Sequence, residues 1–381
     1  MIYLDNAATT WPKPETVPEA MVSCMRDAGA NPGRGGHRMS LAAGRIILET
    51  RELAAGLINA GNPVQVVFTG NATEALNLAL KGVLRPGDHI VTSSMEHNSV
   101  MRPIQSLGAL GVEATVVPCS ADGYLEPGDL RAAIKKNTRM IALIHASNVT
   151  GTIMPVEEVG ILARERGLVY LVDAAQTIGY LDIDVQRMNI DLLAFPGHKS
   201  LYGPQGTGGL YIREGLNLAP IMEGGTGSGS ESLTQPEAMP DRYESGTPNT
   251  VGLAGLGAGI KYINEQGLEK IRNHGQDLLA RLTEGLRQIP GVTVYGPGQP
   301  DRQVPVVSFN LGTLGSSEVA FLLDRVYDIA CRSGLHCAPA AHRTMGTLKS
   351  GTVRLSMSYH NTAEEVDQAL KAVAEIAAES V

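Results

Sequence analysis

Between Val64 and Ile212 the chain carries seven short apolar runs, VQVVF, HIVTSS, EATVVP, MIALIHA, LVYLVD, DLLAF and GGLYI, separated by helix-like segments. Their apolarity is continuous rather than alternating, which marks strands covered on both faces. Strand and helix in alternation predict an α/β fold with a mostly parallel, doubly wound sheet. In such a sheet ligands bind beyond the carboxyl ends of the strands, so the loops that follow these runs carry the chemistry.

After a Gly/Ser-rich stretch, Glu223 to Thr250, the texture changes. A long helical pattern runs from Val251 to Gln288, and VTVYG, VPVVSFNL and GTVRLSMS read as strands. One helix is expected between Ser317 and Val326 and another over the last twenty residues. This is a second, smaller α+β domain. The division expected is 15–250 for the large domain and 251–381, with the N-terminal segment 1–14, for the small one. A length of 381 residues suits two domains.

A net charge of −8 argues against nucleic acid or an anionic membrane surface as the main partner and leaves a small molecule. The start, MIYLDNAATT, has neither a basic n-region nor an apolar h-region, and no apolar run reaches the length of a span, so a cytoplasmic location is expected. Cys24, Cys119, Cys331 and Cys337 have no regular spacing and read as free thiols.

Four loops stand out. In FTGNATEALN a strand ends at Phe68 and a helix begins near Ala72, with Asn71 and Glu74 resembling a capping box. The free N–H groups of that first turn, with the Thr73 hydroxyl, can cradle an anion, although an ordinary capped helix would look the same. His97, in MEHNSV, follows a strand and could stack on a planar ring, shuttle protons as a catalytic residue, or serve only its loop. Asp173 ends the apolar strand LVYLVD, where a carboxylate is costly unless a cation or donors meet it; a helix cap is the plain alternative. Lys199, in FPGHKSLYG, lies on the same rim, where burial lowers an amine's pKa and lets it condense with a carbonyl. Lysine plus aspartate suits pyridoxal phosphate. The Asp pairs with the protonated pyridine nitrogen, and the lysine holds the aldehyde.

These motifs, with YLDNAATTWPKP, EHNS, SNVTGT, VDAAQ, GHKSLYGPQGTGGLY, YESGTPNT and RSGLHCAP, resemble the class V aminotransferase family of pyridoxal-phosphate enzymes, in its cysteine desulfurase and selenocysteine lyase branch. The resemblance spans nearly the whole chain and implies the aspartate aminotransferase-like, pyridoxal-phosphate-dependent transferase fold. It implies Lys199 as the Schiff-base lysine, Asp173 at the pyridine nitrogen, Gln176 at the phenolic oxygen and His97 on the ring. Thr73 and His198 are implied at the phosphate, Ala72 beside them in the cofactor site, and Asn148 near the ring or substrate carboxylate. Gly246 and Thr247 are implied to reach the cofactor of a neighbouring subunit, hence a homodimer with shared active sites. Two departures are visible. Pro196 stands where many relatives carry Ser or Thr, removing one phosphate hydrogen bond, and Pro339 follows Ala338 directly where the R-x-G-x-H-C-A-x-P form has one more residue.

The same resemblance makes Cys337 the sulfur-accepting nucleophile, with Arg332 and Arg354 at the substrate; a guanidinium fork suits a carboxylate. Read alone, Cys337 could be a buried structural thiol and Arg354 a surface residue. Ligation of a metal by Cys331, Cys337 and His342 lacks usual spacing, and no metal is expected. The activity implied is removal of sulfur from L-cysteine to give alanine and a Cys337 persulfide, with selenocysteine as a variant and a protein as sulfur acceptor. A transaminase, epimerase or C–S β-lyase of the same family would not need Cys337.

Overall fold

A computed structural model describes residues 1–33, 35–228 and 231–379. Its strands are β1 (Ile2–Tyr3), β2 (Val66–Thr69), β3 (His89–Ser93), β4 (Glu113–Val117), β5 (Thr138–Ile144), β6 (Val169–Asp173), β7 (Leu192–Pro196), β8 (Gly208–Ile212), β9 (Val292–Tyr295), β10 (Val306–Leu311), β11 (Ile329–Ala330), β12 (Arg332–Gly334) and β13 (Thr352–Ser356). Helices α1 (Thr16–Asp27), α2 (Arg38–Leu57), α3 (Ala72–Val83), α4 (Asn98–Gly108), α5 (Pro127–Ala132) and α6 (Val156–Glu165) precede or alternate with the first strands. Then follow α7 (Thr250–Gln266), α8 (Leu268–Gln288), α9 (Ser316–Tyr327), α10 (Pro339–Thr344) and α11 (Ala363–Glu379).

The seven apolar runs form one sheet in the order β2-β8-β7-β6-β5-β3-β4. Its pairs are parallel except those of β8, which runs antiparallel to both β2 and β7. The fold is therefore α/β with a mixed, mostly parallel central sheet. Along each strand the side chains alternate between two cores, because successive Cβ atoms point to opposite faces. Val91, Ile141, Leu143, Val172 and Leu193 enter one core, and Ile90, Met140, Ala142, Leu171 and Leu192 the other. Coverage on both faces fails at β4. As the edge strand it leaves Glu113, Ala114 and Val116 exposed.

The long helical pattern after Val251 is two helices. Gly267, at φ 84°, sits between α7 and α8 in a backbone conformation that favours glycine. Helix α7 packs on α1 and α2. A second, antiparallel sheet of order β12-β13-β10-β9 buries Val307, Phe309, Val353 and Leu355 against α8, α9 and α11, through Leu282, Leu323 and Val373 among others. Leu4 joins this core, and β1 pairs with β11 in parallel. The N-terminal residues thus lie against the second sheet before the chain enters the first.

Candidate active site

A cavity of about 240 Å³ opens at the carboxyl ends of the central strands. It brings together Ala72, Thr73, His97, Asn148, Asp173, Gln176, His198, Lys199, Arg332 and Arg354. All but two come from the carboxyl ends of β2, β3, β5, β6 and β7 or the segments that follow them, as the doubly wound topology requires, while Arg332 and Arg354 come from strands of the second sheet.

Helix α3 opens this rim. Asn71 caps it by accepting from Glu74 N–H at 2.9 Å, but the Glu74 carboxylate accepts from Gly70 N–H at 2.7 Å instead of reaching back to Asn71. The expected capping box is thus displaced by one residue, which fixes the Gly70 turn. The Thr73 hydroxyl meets that of Ser99 at 2.8 Å.

His97 caps α4. Its Nδ1 accepts from Ser99 N–H at 3.1 Å, so a neutral ring carries its proton on Nε2. Burial, then the charges of Lys199, Arg332, Arg102 and Arg354, push its pKa down to about 4. The ring is neutral at physiological pH.

Asp173 ends β6 almost fully buried, and Ala175 N–H donates to it at 2.9 Å. Burial raises its pKa. Lys199 follows β7 and lines the cavity with no hydrogen bond to Nζ among the described residues. Burial lowers its pKa to about 8, Asp173 opposes that fall, and Arg354 and Arg332 add to it. With a pKa of about 8 roughly a tenth of the amine is neutral at pH 7, far more than of an ordinary lysine, and that form is competent as a nucleophile or base.

The peptide that carries Lys199 is fastened by the N-terminal segment. The His198 carbonyl accepts from Lys13 Nζ at 2.7 Å, Thr9 Oγ1 at 3.0 Å and Thr10 N–H at 3.1 Å, and the Lys199 carbonyl accepts from Thr10 Oγ1 at 2.7 Å. Gln176 Nε2 donates to the Ala7 carbonyl at 3.1 Å. Four polar atoms of cavity-lining residues are buried with no partner among the described residues: His198 Nδ1, Asn148 Oδ1, His336 Nδ1 and Arg354 Nε. Groups of this kind call for a ligand or water, since an unsatisfied buried polar atom costs about 1–3 kcal/mol.

From the second sheet, Arg354 is 1% exposed. It donates to Asp5 Oδ1 at 2.7 Å and to the Asn148 carbonyl at 3.0 Å, so it is no surface residue. Asn148 Nδ2 in turn donates to the His336 carbonyl at 2.7 Å. His336 lines the cavity too, although the sequence did not single it out from RSGLHC. Its Nε2 faces the Thr352 carbonyl at 3.1 Å, an acceptor only, which keeps the proton there and leaves Nδ1 as a buried acceptor.

Cys337 is exposed and does not line the cavity. His336 and Cys337 both hold left-handed backbone, φ 48° and 59°, in a turn fastened by Asn98 N–H donating to the Cys337 carbonyl at 2.9 Å. Gly246 and Thr247 lie elsewhere, in a cavity of about 330 Å³ bounded also by Glu244 and Arg51. Among the described residues no three His, Cys, Asp or Glu side chains form a metal-binding group, Cys331, Cys337 and His342 included.

The model of the aminotransferase class-V family matches residues 2–369. The chain belongs to that family. A probable cysteine desulfurase of Methanothermobacter thermautotrophicus is 39% identical over 382 residues, covering 99% of this chain and 94% of the relative. A cysteine desulfurase of Salmonella agona is 39% identical over 378 residues, covering 97% of this chain and 91% of the relative. Among solved structures, the apo cysteine desulfurase of Thermococcus onnurineus superposes with a TM-score of 0.94 at 38% identity, over 99% of this chain and 95% of that one. The cysteine desulfurase CsdA of Escherichia coli does so with a TM-score of 0.88 at 29% identity, over 100% and 95%. The fold implied by the sequence motifs is the one these structures share.

Proposed function

We propose that this class-V protein is an L-cysteine desulfurase that uses pyridoxal phosphate and passes the sulfur to Cys337. Arg332 carries the reading: it lines the cavity with Lys199 and Asp173 and donates from Nη2 to Cys337 Sγ at 3.3 Å, joining an amino-acid site to a thiol. Support also comes from relatives named cysteine desulfurase at 39% identity.

The residues fit the cofactor. A buried carboxylate, an unbonded amine and the partnerless His198 Nδ1 and Asn148 Oδ1 share one cavity large enough for a small planar ligand. Asp173 would hold the pyridine nitrogen, Gln176 the phenolic oxygen, His97 the ring face, Ala72, Thr73 and His198 the phosphate, and Lys199 the aldehyde. When bound, pyridoxal phosphate withdraws the electron pair left at the amino-acid Cα.

The chain's own residues do the rest. Arg354 binds the substrate carboxylate with its guanidinium fork, assisted by Asn148 and Arg332. Lys199 Nζ takes the Cα proton, at a pKa of about 8 that lets it both accept and return protons near neutrality. The Cys337 thiolate attacks the substrate sulfur. The new S–S bond forms as the C–S bond breaks, the carbon keeps that bond's electron pair and is protonated, and alanine leaves a persulfide on Cys337. Selenocysteine is cleaved more readily, because its carbon–selenium bond is weaker. Gly246 and Thr247, which line a separate cavity, serve the neighbouring subunit of a homodimer, and the exposed thiol passes sulfur to an acceptor protein in the cytoplasm.

The test is incubation of the pure protein with L-cysteine and with L-selenocysteine, following alanine with and without a reductant. Alanine formed only stoichiometrically without reductant and catalytically with it supports the reading. Release of pyruvate in place of alanine overturns it in favour of a β-lyase.

A further inference from the structure

We infer that Asp5 is a positioning residue: it holds Arg354 in the orientation that receives the substrate carboxylate, an inference resting on the substrate role proposed for Arg354. In the register of β12 and β13, Arg332 stands directly opposite Arg354. Directly opposed residues of an antiparallel pair project from the same face, so two guanidinium groups are neighbours there, and like charges so placed repel. Both line the cavity. Asp5, bonded to Arg354 Nη2 at 2.7 Å, does not line it. The carboxylate therefore approaches from behind and offsets the like-charge pair without occupying the ligand's place.

The backbone of Asp5 is fixed with respect to Arg354. Asp5 bridges Ser356, two residues beyond Arg354 on the same strand. Ser356 N–H donates to the Leu4 carbonyl at 2.7 Å, and Ala7 N–H donates to Ser356 Oγ at 2.9 Å. Residues flanking Asp5 on both sides are thus tied to β13, and its carboxylate is a rigid stop for the guanidinium. On the other nitrogen, Nη1 donates to the Asn148 carbonyl at 3.0 Å. A guanidinium has five N–H groups. With Asp5 and Asn148 served, hydrogens remain on each Nη and on Nε, which is buried and has no partner among the described residues. That leaves the two adjacent donors a carboxylate needs for a bidentate contact.

Without Asp5 the fork has one anchor, faces Arg332 uncompensated and loses its fixed plane. The loss falls on ligands that carry a carboxylate. Three holoenzymes, wild type, Asp5→Ala and Asp5→Asn, are compared by calorimetric affinity for L-alanine, by KM and kcat for L-cysteine, and by affinity for cysteamine, which lacks the carboxylate. Asp5→Ala should weaken L-alanine and raise KM about tenfold while kcat changes less than about threefold, since the interaction belongs to ground-state binding and transition state alike. Asp5→Asn keeps an oxygen acceptor for Nη2 and should recover part of the loss, and it carries the test if the alanine variant does not fold. Cofactor content per chain and cysteamine affinity should stay at wild-type levels.

Equal L-alanine affinity in wild type and Asp5→Ala, or equal weakening of L-alanine and cysteamine, overturns the inference. Arg354→Lys separates the two levels. If it weakens L-alanine and Asp5→Ala does not, the positioning role alone is wrong. If Arg354→Lys leaves L-alanine affinity unchanged, the assignment of Arg354 to the carboxylate falls and the role of Asp5 with it.

Discussion

Arg332 and Cys337 lie five residues apart and meet at 3.3 Å, the guanidinium donating to the sulfur from a strand while the thiol sits on a left-handed turn. The contact puts a fixed positive charge beside an exposed sulfur. It also separates sulfur transfer from cofactor binding, because Arg332 lines the cavity and Cys337 does not.

Cys337→Ala should therefore abolish alanine formation from L-cysteine, retain the cofactor and leave a measurable rate on L-selenocysteine, whose carbon–selenium bond is weaker. Mass spectrometry of the wild type after one turnover should find the persulfide on Cys337 and not on Cys24, Cys119 or Cys331. Full activity of the variant on L-cysteine would sink the desulfurase reading.

Two lysines near this site have lowered pKa values of about 8, Lys199 and Lys13, and only one of them lines the cavity. Lys13 is committed to the His198 carbonyl and the Thr10 hydroxyl. Borohydride reduction of the holoenzyme followed by peptide mapping should place the pyridoxyl group on Lys199. A label on Lys13 would show that a depressed pKa, rather than the cavity, selects the amine.

Glycines make a sharp test of the packing. A Cβ added at Gly160, on α6, would come within 1.9 Å of the Met188 carbonyl oxygen, so the helix must lift from the chain beneath it. Gly160→Ala should cost about 3 kcal/mol, the upper end for overpacking. Gly56, on α2, has nothing within 4 Å of its would-be Cβ. Gly56→Ala should gain about 0.5–1 kcal/mol from helix propensity. Urea unfolding midpoints moving in the same direction for both variants would contradict this packing.

The central strands were legible because a covered strand must be apolar, and β6, β7 and β5 from Met140 onward obey that rule, with Asp173 at the end of β6 the one charge. Lys199 and Asp173 were legible for the converse reason: a charge at the end of such a strand has to be used. What stayed hidden depends on partners distant in sequence. Asp5 meets Arg354 across 349 positions and Lys13 meets His198 across 185, and no local pattern marks either. Strands β1, β11 and β12 are too short for any period to show. The break at Gly267 was missed because glycine inside a helical pattern is tolerated as often as it terminates one.

Glu96 was also missed, standing beside the conspicuous His97. It is fully buried; its Oε1 accepts from Ser93 Oγ at 2.6 Å and Ile144 N–H at 3.0 Å, while Oε2 has no partner among the described residues. Burial is the main cause that pushes its pKa up to about 8, with Asp173 adding to it. In the unfolded chain the same carboxyl titrates near about 4.3. Between those values the folded protein keeps a proton that the unfolded chain has released, so unfolding is increasingly favoured as pH rises through the window. Below it the group contributes no pH dependence. Glu96→Gln keeps an oxygen for Ser93 and Ile144 and cannot ionise, and should remove this part of the slope. Urea midpoints for wild type and variant, measured between about pH 5 and pH 8, should diverge upward in pH, with the glutamine protein gaining relative stability at the alkaline end. Parallel curves would mean that Glu96 ionises at an ordinary pKa, and that its burial is relieved by a contact other than those to Ser93 and Ile144.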